Sequence, residues 1–253
     1  MRTSCRLVAL YISFHQIPKA GTGGYIVGRD PELCDIVISG ARGVSNMHLA
    51  IQFNWNSRFI VIRNLSRYET VLDINGEAVR LTNSESRNTR SIIPTDRPII
   101  YLGAIGFKLV QRRHDANYCK SFSTFYKACQ EQDLREKPDQ DVVQNISPLP
   151  DTIFQAVRIG LKGRYTLTDS IGSGQFGHVY ECVDRQTGNI FAAKQFLRIK
   201  SSQQIERTLK EIIVSQGLHH VSTHTVFHDI YTHCQRKTSS IFMTTLQTIR
   251  AYF

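Results

Sequence analysis

The sequence predicts an all-β sandwich over residues 1–114 and, after a linker, a smaller α+β unit over residues 159–253. In the first region, short runs of β-branched and aromatic residues alternate with turn clusters such as GTGG and NWNS, a pattern typical of a sandwich. Asn75-Gly76 predicts a tight hairpin, because both residues tolerate positive φ. In the second region, strand-like runs precede a helical stretch at residues 202–216, an order unlike a doubly wound fold.

Each strand is predicted where branched and aromatic residues are concentrated. In the first region these runs are residues 7–14, 25–27, 35–38, 49–53, 59–62 and 107–110. In the second region they are residues 165–171, 179–184 and 190–196, and residues 226–231 and 240–245 are candidates for two further strands.

A linker is predicted over residues 115–158, where the balance of charge changes. Residues 1–113 carry 15 basic and 8 acidic residues, residues 114–158 carry 5 and 7, and residues 159–253 carry 11 and 6. The middle segment contains EQDLREKPDQD and the prolines of NISPLPD, which suit an exposed connection. Within it, the helical spacing of the apolar residues in FSTFYKACQEQ predicts a short helix.

Composition excludes several classes of protein. The chain has 253 residues, of which 41% are hydrophobic and 21% charged, and a net charge of +10, so it is neither a low-complexity disordered chain nor a disulfide-dense miniprotein. Its six cysteines are widely spaced without a C-x-x-C pair, and we expect reduced thiols. No run approaches the ~20 apolar residues of a membrane span. The N-terminal apolar run fits a first strand better than a secretory signal, because no A-x-A-like cleavage site follows it.

A candidate phosphate site lies on two predicted loops of the sandwich. The dipeptide Gly-Arg at residues 28–29 follows one strand, and Ser-Asn-Met-His at residues 45–48 precedes another. An arginine fork and a serine hydroxyl can bind a phosphate monoester together. In this order and spacing, and with Asn-Leu-Ser at residues 64–66, the pieces resemble the forkhead-associated (FHA) domain over about residues 7–112. That family is a sandwich that binds phosphothreonine peptides through its loops.

The resemblance implies a role for each of these loop residues. Arg29 and Ser45 would be the phosphate ligands, Asn46 would be a further contact to the phosphopeptide, and His48 would hold the loop by hydrogen bonds. The alternative is that they are ordinary loop residues of some other sandwich. Arg42 could add charge to the pocket, or it could be a solvated surface arginine.

The loop that would read the peptide departs from the family pattern. Where the family has S-T-N-G-T, residues 66–70 read SRYET, so Tyr68 replaces the asparagine that would bind the peptide backbone. Compared with the family pattern, two additional residues also lie between Thr70 and Asn75-Gly76. We therefore expect the phosphate pocket to be kept and the sequence preference around the phosphothreonine to be altered.

A glycine-rich segment in the second region predicts a nucleotide-binding hairpin. Residues 171–179 read IGSGQFGHV and contain G-x-G-x-x-G. A dinucleotide-binding turn needs a helix directly after the glycines, whereas here a second strand follows, and then FAAK ending in Lys194. Strand, glycine-rich turn, strand and a lysine on a third strand resemble the small lobe of a protein kinase over about residues 163–220.

This second resemblance implies ATP binding, with Mg²⁺ where a complete kinase domain is present. Lys194 would contact the α- and β-phosphates, and Glu211 on the following helix would pair with it. Glu206 is a competing partner with a less suitable spacing. The residues implied to bind ATP are Ile171, Gly172, Ser173, Gly174, Gln175, Phe176, Gly177, His178, Val179, Ala192, Lys194 and Glu211. The alternative is a glycine-rich hairpin whose likeness to a kinase is accidental.

The remaining segment carries two weaker patterns. If residues 226–231 and 240–245 are the last strands of the lobe, Met243 would lie near the adenine pocket. His220, His224 and His228 would share one face of a helix, as a zinc site could require. Because the residues around them are strand-like, no metal site is predicted.

The function predicted from both resemblances is phosphothreonine recognition coupled to a kinase lobe. A kinase also needs H-R-D-x-x-x-x-N and D-F-G from its large lobe, and neither occurs in the sequence. We therefore expect an incomplete kinase fold without catalytic residues. An FHA domain followed by a Ser/Thr kinase lobe resembles the checkpoint effector kinases of the DNA-damage and meiotic responses.

Several expectations about partners follow from this resemblance. It implies a phosphothreonine-containing partner protein and a nuclear or cytoplasmic location, more often the nucleus. The alternative is a catalytically dead adaptor that binds phosphopeptides. Nucleic-acid binding would rest on net charge alone, because no such module is recognisable. We therefore expect neither a direct nucleic-acid partner nor a membrane partner.

Overall fold

The computed structural model describes residues 6–9, 12–110, 114–136, 163–174, 177–196 and 244–248, together with residues 203, 206, 207 and 210. The chain forms two compact units, one built on residues 1–143 and 186–188 and the other on residues 144–185 and 189–253. Within the described residues, no helix is long and apolar enough to cross a membrane.

The first unit is built from two five-stranded sheets and one long helix. Its elements are β1 (Arg6–Ala9), β2 (Tyr25–Gly28), β3 (Ile36–Val37), β4 (Met47–Phe53), β5 (Ile60–Asn64), β6 (Thr70–Ile74), β7 (Glu77–Leu81), β8 (Thr89–Ile92), β9 (Pro98–Leu102), β10 (Ile105–Lys108) and α1 (Ala116–Glu136). One sheet has the order β1-β10-β9-β6-β7 and the other β3-β2-β4-β5-β8. All strand pairs are antiparallel except β1 with β10 and β2 with β3, which are parallel.

The two sheets bury a common core, which confirms the predicted sandwich. Leu49 and Ile62 from one sheet and Leu72 and Ile100 from the other are all fully buried in the same cluster. β6 shows the strict alternation of a strand with one buried face. Hydrophobic burial of these inner faces is the dominant stabilising contribution to such a fold.

The predicted hairpin at Asn75-Gly76 is confirmed. Asn75 has φ 56° and Gly76 has φ 89°, the positive values that a type I′ turn requires at both central positions. The turn joins β6 to β7 with Ile74 paired to Glu77. The Gly76 amide also donates a hydrogen bond to Asp73 Oδ1 at 2.9 Å, which fixes the turn.

Strands β6 to β9 were absent from the predicted runs, and β1 is shorter than predicted. β6 (TVLDI) contains branched residues, but the charged Asp73 interrupts them, and β7 (EAVRL) is a mostly exposed edge strand that carries Glu77 and Arg80, so neither forms a continuous run of branched and aromatic residues. β9 begins with Pro98, which discourages a strand assignment although a first position needs no ladder donor. β1 ends at Ala9, and a turn in which the Gln16 amide bonds to the Ser13 carbonyl follows.

The helix in the predicted linker is longer than expected and packs onto the sandwich. α1 covers 21 residues rather than a short segment. Phe122, Phe125 and Cys129 are fully buried in the core that the two sheets share, because they meet an apolar surface that includes Phe53. Residues 116–136 are therefore not an exposed connection, and the remaining part of the predicted linker, residues 137–158, lies outside the described residues.

The second unit contains a four-stranded antiparallel sheet. Its strands are β11 (Tyr165–Gly174), β12 (Gly177–Asp184), β13 (Ile190–Phe196) and β14 (Thr244–Thr248), in the order β11-β12-β13-β14. The first three agree with predicted runs, and Cys182, Phe191 and Ala193 form a small buried cluster on one face. Of the predicted helix, only residues 203, 206, 207 and 210 are described, and all are helical. Residues 226–231, Met243 and the three histidines of the zinc alternative lie outside the described residues.

The described cysteines behave as structural thiols. Cys34, Cys119, Cys129 and Cys182 form no disulfide. Burial, reinforced by the nearby Asp133 carboxylate, raises the pKa of Cys129 to about 11. Burial and the nearby Asp184 raise the pKa of Cys182 to about 12. These two thiols are therefore protonated at neutral pH and unreactive.

Candidate functional site

The end of β2 and the loop before β4 are bound together at the backbone. The amide of Arg29 donates to the carbonyls of Ser45 at 3.0 Å and Asn46 at 2.9 Å. The same Asn46 carbonyl accepts from the Cys34 thiol at 2.9 Å. A Cβ on Gly28 would lie only 1.9 Å from this carbonyl oxygen, so glycine is required before Arg29 for the two segments to approach. The structure thus brings the predicted residues Arg29, Ser45 and Asn46 to one place.

His48 holds the loop that carries Ser45 by a hydrogen bond. His48 is fully buried, and its Nδ1 accepts a hydrogen bond from the Ser45 amide at 3.1 Å. A register irregularity between Val27 and Gly28 in the β2–β4 pairing accompanies this loop. His48 therefore has the loop-holding position that the sequence predicted for it.

Burial lowers the pKa of His48, with the Glu69 backbone carbonyl acting in the opposite direction. At neutral pH the imidazole of the folded protein is therefore uncharged, which agrees with an Nδ1 that accepts a hydrogen bond from the Ser45 amide. A histidine in the unfolded chain binds a proton near pH 6.5. Because the unfolded state binds more protons below that pH, the contribution of His48 to the free energy of unfolding should be constant above about pH 7 and should fall as the pH decreases below about 6.5.

The variant His48→Asn should weaken this acid destabilisation, because its amide oxygen can accept from the Ser45 amide without titrating. The measurement is the free energy of unfolding between pH 7.5 and 5.5, followed by the fluorescence of Trp55, the chain's single tryptophan. His114, whose pKa is lowered by burial and then by Arg58, should contribute in the same direction, so His114→Gln is the parallel variant. An undiminished pH slope in His48→Asn would show that His48 titrates normally.

A third loop, residues 65–69, meets the same site through Ser66. The hydroxyl oxygens of Ser45 and Ser66 lie 2.5 Å apart, and the Tyr68 amide donates to Ser66 Oγ at 2.9 Å. Ser66 is fully buried, and its carbonyl accepts from Asn64 Nδ2 at 2.9 Å. Sequence reasoning assigned no role to Ser66, since its position gives no sign that its hydroxyl reaches the Ser45 loop.

The resulting site can bind a phosphate group. Arg29 and Asn46 are exposed, Ser45 is half-buried, and Arg29 forms no ion pair within the part of the chain that the structure describes. A guanidinium and a hydroxyl carried by adjoining backbone segments can offer a charged fork and a neutral donor to phosphate oxygens. Arg42 is also exposed, which agrees both with an added charge at the pocket and with a solvated surface arginine.

In the second unit, backbone register aligns the glycine-rich hairpin with Lys194. Gly172 is paired with Val179, Val179 with Lys194, and Lys194 with Thr245, so one row crosses all four strands. Glycine occupies both arms of the hairpin where Gly174 pairs with Gly177. The predicted residues Ile171 to Gly174, Gly177 to Val179, Ala192 and Lys194 therefore belong to adjoining positions of one sheet, and Gln175, Phe176 and Glu211 lie outside the described residues.

The glycines of this hairpin leave room for a ligand. A Cβ placed on Gly172 or Gly174 would meet no protein atom within 4 Å, so nothing in the described protein itself requires glycine at these two positions. Space over the backbone is what close approach of nucleotide phosphates needs. Glu206, the competing partner of Lys194, instead pairs with Lys210 at 2.9 Å one turn along its helix.

No group of histidine, cysteine or carboxylate side chains among the described residues is arranged to hold a metal ion.

Comparisons with known proteins match the two units separately. Residues 25–93 match the family model of the FHA domain. Residues 165–249 match the family model of the protein kinase domain.

Several of the similar curated proteins are named as kinases. Calcium-dependent protein kinase 10 of Oryza sativa subsp. japonica is 33% identical over 95 residues, which are 36% of this chain and 15% of that protein. Cell division control protein 2 homolog 3 of Trypanosoma brucei brucei is 40% identical over 58 residues, which are 22% of this chain and 19% of that protein. The chain thus spans less than a fifth of the length of these relatives.

Among solved structures, the crystal structure of Rad53 1-466 in complex with AMP-PNP is similar. It has a TM-score of 0.49 and 16% sequence identity, and the match covers 95% of this chain and 52% of that one.

Proposed function

Because the chain joins an FHA domain to a segment of a protein kinase domain, we propose that it binds phosphothreonine on a partner protein and ATP on its second unit. The observation that carries the first half is the pair of bonds from the Arg29 amide to the carbonyls of Ser45 and Asn46. They hold the backbone of Arg29, whose side chain is exposed, against the loop that carries the Ser45 hydroxyl, so a guanidinium and a hydroxyl suited to phosphate oxygens come from adjoining segments.

The phosphopeptide half is tested by comparing two peptides of one sequence, with phosphothreonine or threonine at the central position. Only the phosphorylated peptide should bind, because the unphosphorylated peptide offers no negative group at this position to the donors of the site. Added salt should weaken its binding, because an exposed ionic contact is screened. Equal affinity for both peptides would contradict the proposal.

The nucleotide half rests on the row that joins Gly172, Val179 and Lys194 across the sheet. In kinases a lysine on the third strand contacts the α- and β-phosphates while a glycine-rich turn covers them. Magnesium would be expected only with the metal ligands of a large lobe. In this proposal the lobe holds ATP without its catalytic motifs, so the chain binds nucleotide and transfers no phosphate.

Replacing Lys194 by methionine should reduce the affinity for a fluorescent ATP analogue about tenfold or more, because one charge-assisted contact to phosphate is lost. Lys210→Met is the matched control, since Lys210 is exposed and pairs with Glu206. Gly174→Val should also weaken binding, as its side chain would enter the space over the hairpin. Phosphate transfer to a generic substrate that depends on Lys194 would contradict the proposed inactivity.

Joining the two activities in one chain would concentrate the kinase lobe at a phosphorylated partner. The order of the two domains supports a role of checkpoint type, in which a phosphothreonine mark recruits the chain, and we place that role in the nucleus. The second candidate is an adaptor that uses only its FHA domain. The absence of H-R-D and D-F-G motifs from the sequence favours the adaptor for the activity of these 253 residues.

A further inference from the structure

The loop of residues 65–69 carries Arg67 directly after the serine that contacts the candidate phosphate site. Asn64, Ser66 and Thr70 are buried and bonded to one another: Thr70 Oγ1 donates to Asn64 Oδ1 at 3.0 Å, and Asn64 Nδ2 donates to the Ser66 carbonyl at 2.9 Å. Arg67 follows Ser66 directly, and Ser66 Oγ lies 2.5 Å from Ser45 Oγ. The Arg67 backbone is therefore fixed one residue from the hydroxyl that touches the Ser45 loop.

The side chain of Arg67 is supported by Tyr68. The guanidinium carbon lies over the Tyr68 ring, 5.2 Å from its centroid, with Nη2 3.4 Å from the phenolic oxygen. Both side chains are exposed. Stacking on an aromatic face attracts a cation and reduces its conformational freedom, so less entropy is lost when Arg67 binds an anion.

The charge of Arg67 is not neutralised by an acidic side chain within the described part of the chain. The neighbouring Glu69 is paired with Arg80 at 2.7 Å, and no described carboxylate forms an ion pair with Arg67. Arg29, on the adjoining segment, is likewise unpaired among these residues. Two exposed guanidinium groups on the adjoining segments around Ser45 therefore favour a ligand that carries more than one negative group.

We infer that Arg67, supported by Tyr68, forms a second anion subsite beside the phosphothreonine pocket, which takes an acidic or phosphorylated side chain of the same peptide. This inference rests on the proposed phosphothreonine binding and names its specificity. It assigns a function to the SRYET segment, where Tyr68 removes the peptide-reading asparagine of the FHA family. Recognition of a second charge then replaces recognition of the peptide backbone.

The test uses three phosphothreonine peptides that differ at one position near the phosphothreonine, where they carry alanine, glutamate or phosphoserine. The set is repeated with this position moved along the peptide on either side of the phosphothreonine. The full chain should bind the best doubly anionic peptide about five- to tenfold more tightly than the alanine peptide, as expected for one charge-assisted contact at an exposed site. Arg67→Ala should abolish this preference and leave the affinity for the alanine peptide within about twofold. Tyr68→Ala should reduce the preference, whereas Tyr68→Phe should retain most of it.

Arg97→Ala is the matched control, because Arg97 is exposed and lies beside Asn75 at the opposite end of β6 from Thr70. It removes the same charge and should keep the preference. If only the phosphoserine peptide binds more tightly than the alanine peptide, the ligand of the second subsite is a phosphate group. If the glutamate peptide binds equally tightly, the subsite accepts any acidic side chain. If the alanine peptide binds but no preference exists, or if Arg67→Ala retains it, the second subsite is wrong. If no phosphothreonine peptide binds, the proposed function itself has failed.

Discussion

Replacing Arg29 by alanine is expected to lower the affinity for a phosphothreonine peptide about a hundredfold while leaving the fold intact. A bidentate, charge-assisted contact to phosphate is worth about 3 kcal/mol, which corresponds to about two powers of ten in the dissociation constant. The fold should survive, because the side chain is exposed and the bonds to Ser45 and Asn46 come from the backbone amide. The measurement is a calorimetric or fluorescence-anisotropy titration with one peptide.

Two further variants sharpen this result. Arg29→Lys keeps the charge and loses the planar fork, so its affinity should lie between those of the wild type and Arg29→Ala. Arg97→Ala changes net charge equally at a distant exposed position and should bind normally. Unchanged affinity in Arg29→Ala would sink the assignment of the phosphate site to this loop.

The sequence predicted which loops form the candidate phosphate site but not the contacts between these loops. Arg29, Ser45 and Asn46 were assigned from the resemblance of their segments, in order and spacing, to the FHA domain. The contact between Ser45 and Ser66 could not be predicted, since serine hydroxyls bond to many partners and 21 residues separate the two positions. The stacking of Arg67 on Tyr68 is equally a product of the folded loop.

The same distinction applies to the fold. Asn75-Gly76 determines its turn locally through backbone conformation, and the hairpin was predictable from two residues. The apolar face of α1 was also visible in the spacing of Phe122, Phe125 and Cys129. The surface on which α1 packs could not be predicted, because the rings of Phe14 and Phe53 that contact the helix come from distant segments of the chain.

Replacing Phe125 by alanine should destabilise the first unit by about 3–5 kcal/mol, the usual cost of removing a buried phenylalanine. Phe125 is 2% exposed. Its ring centroid lies 5.0 Å from that of Phe14, 5.8 Å from Phe53 and 6.2 Å from Tyr25. Truncation would leave a cavity between the helix and the sheets, because these rings belong to separate segments that cannot all close it.

Urea unfolding followed by Trp55 fluorescence measures this loss in the first unit alone, because Trp55 is the only tryptophan of the chain and its ring lies 6.4 Å from that of Phe125. Leu134→Ala is the matched control on the same helix, where the side chain is 50% exposed, and it should change the free energy of unfolding by less than about 1 kcal/mol. Near the lowered urea midpoint of unfolding, the affinity for phosphopeptide should also fall. Phe125 packs on Tyr25, and Tyr25 begins β2, the strand that leads to Arg29. A small loss of stability in Phe125→Ala would mean that α1 is dispensable to the sandwich, as the interpretation of residues 115–158 as a linker supposed.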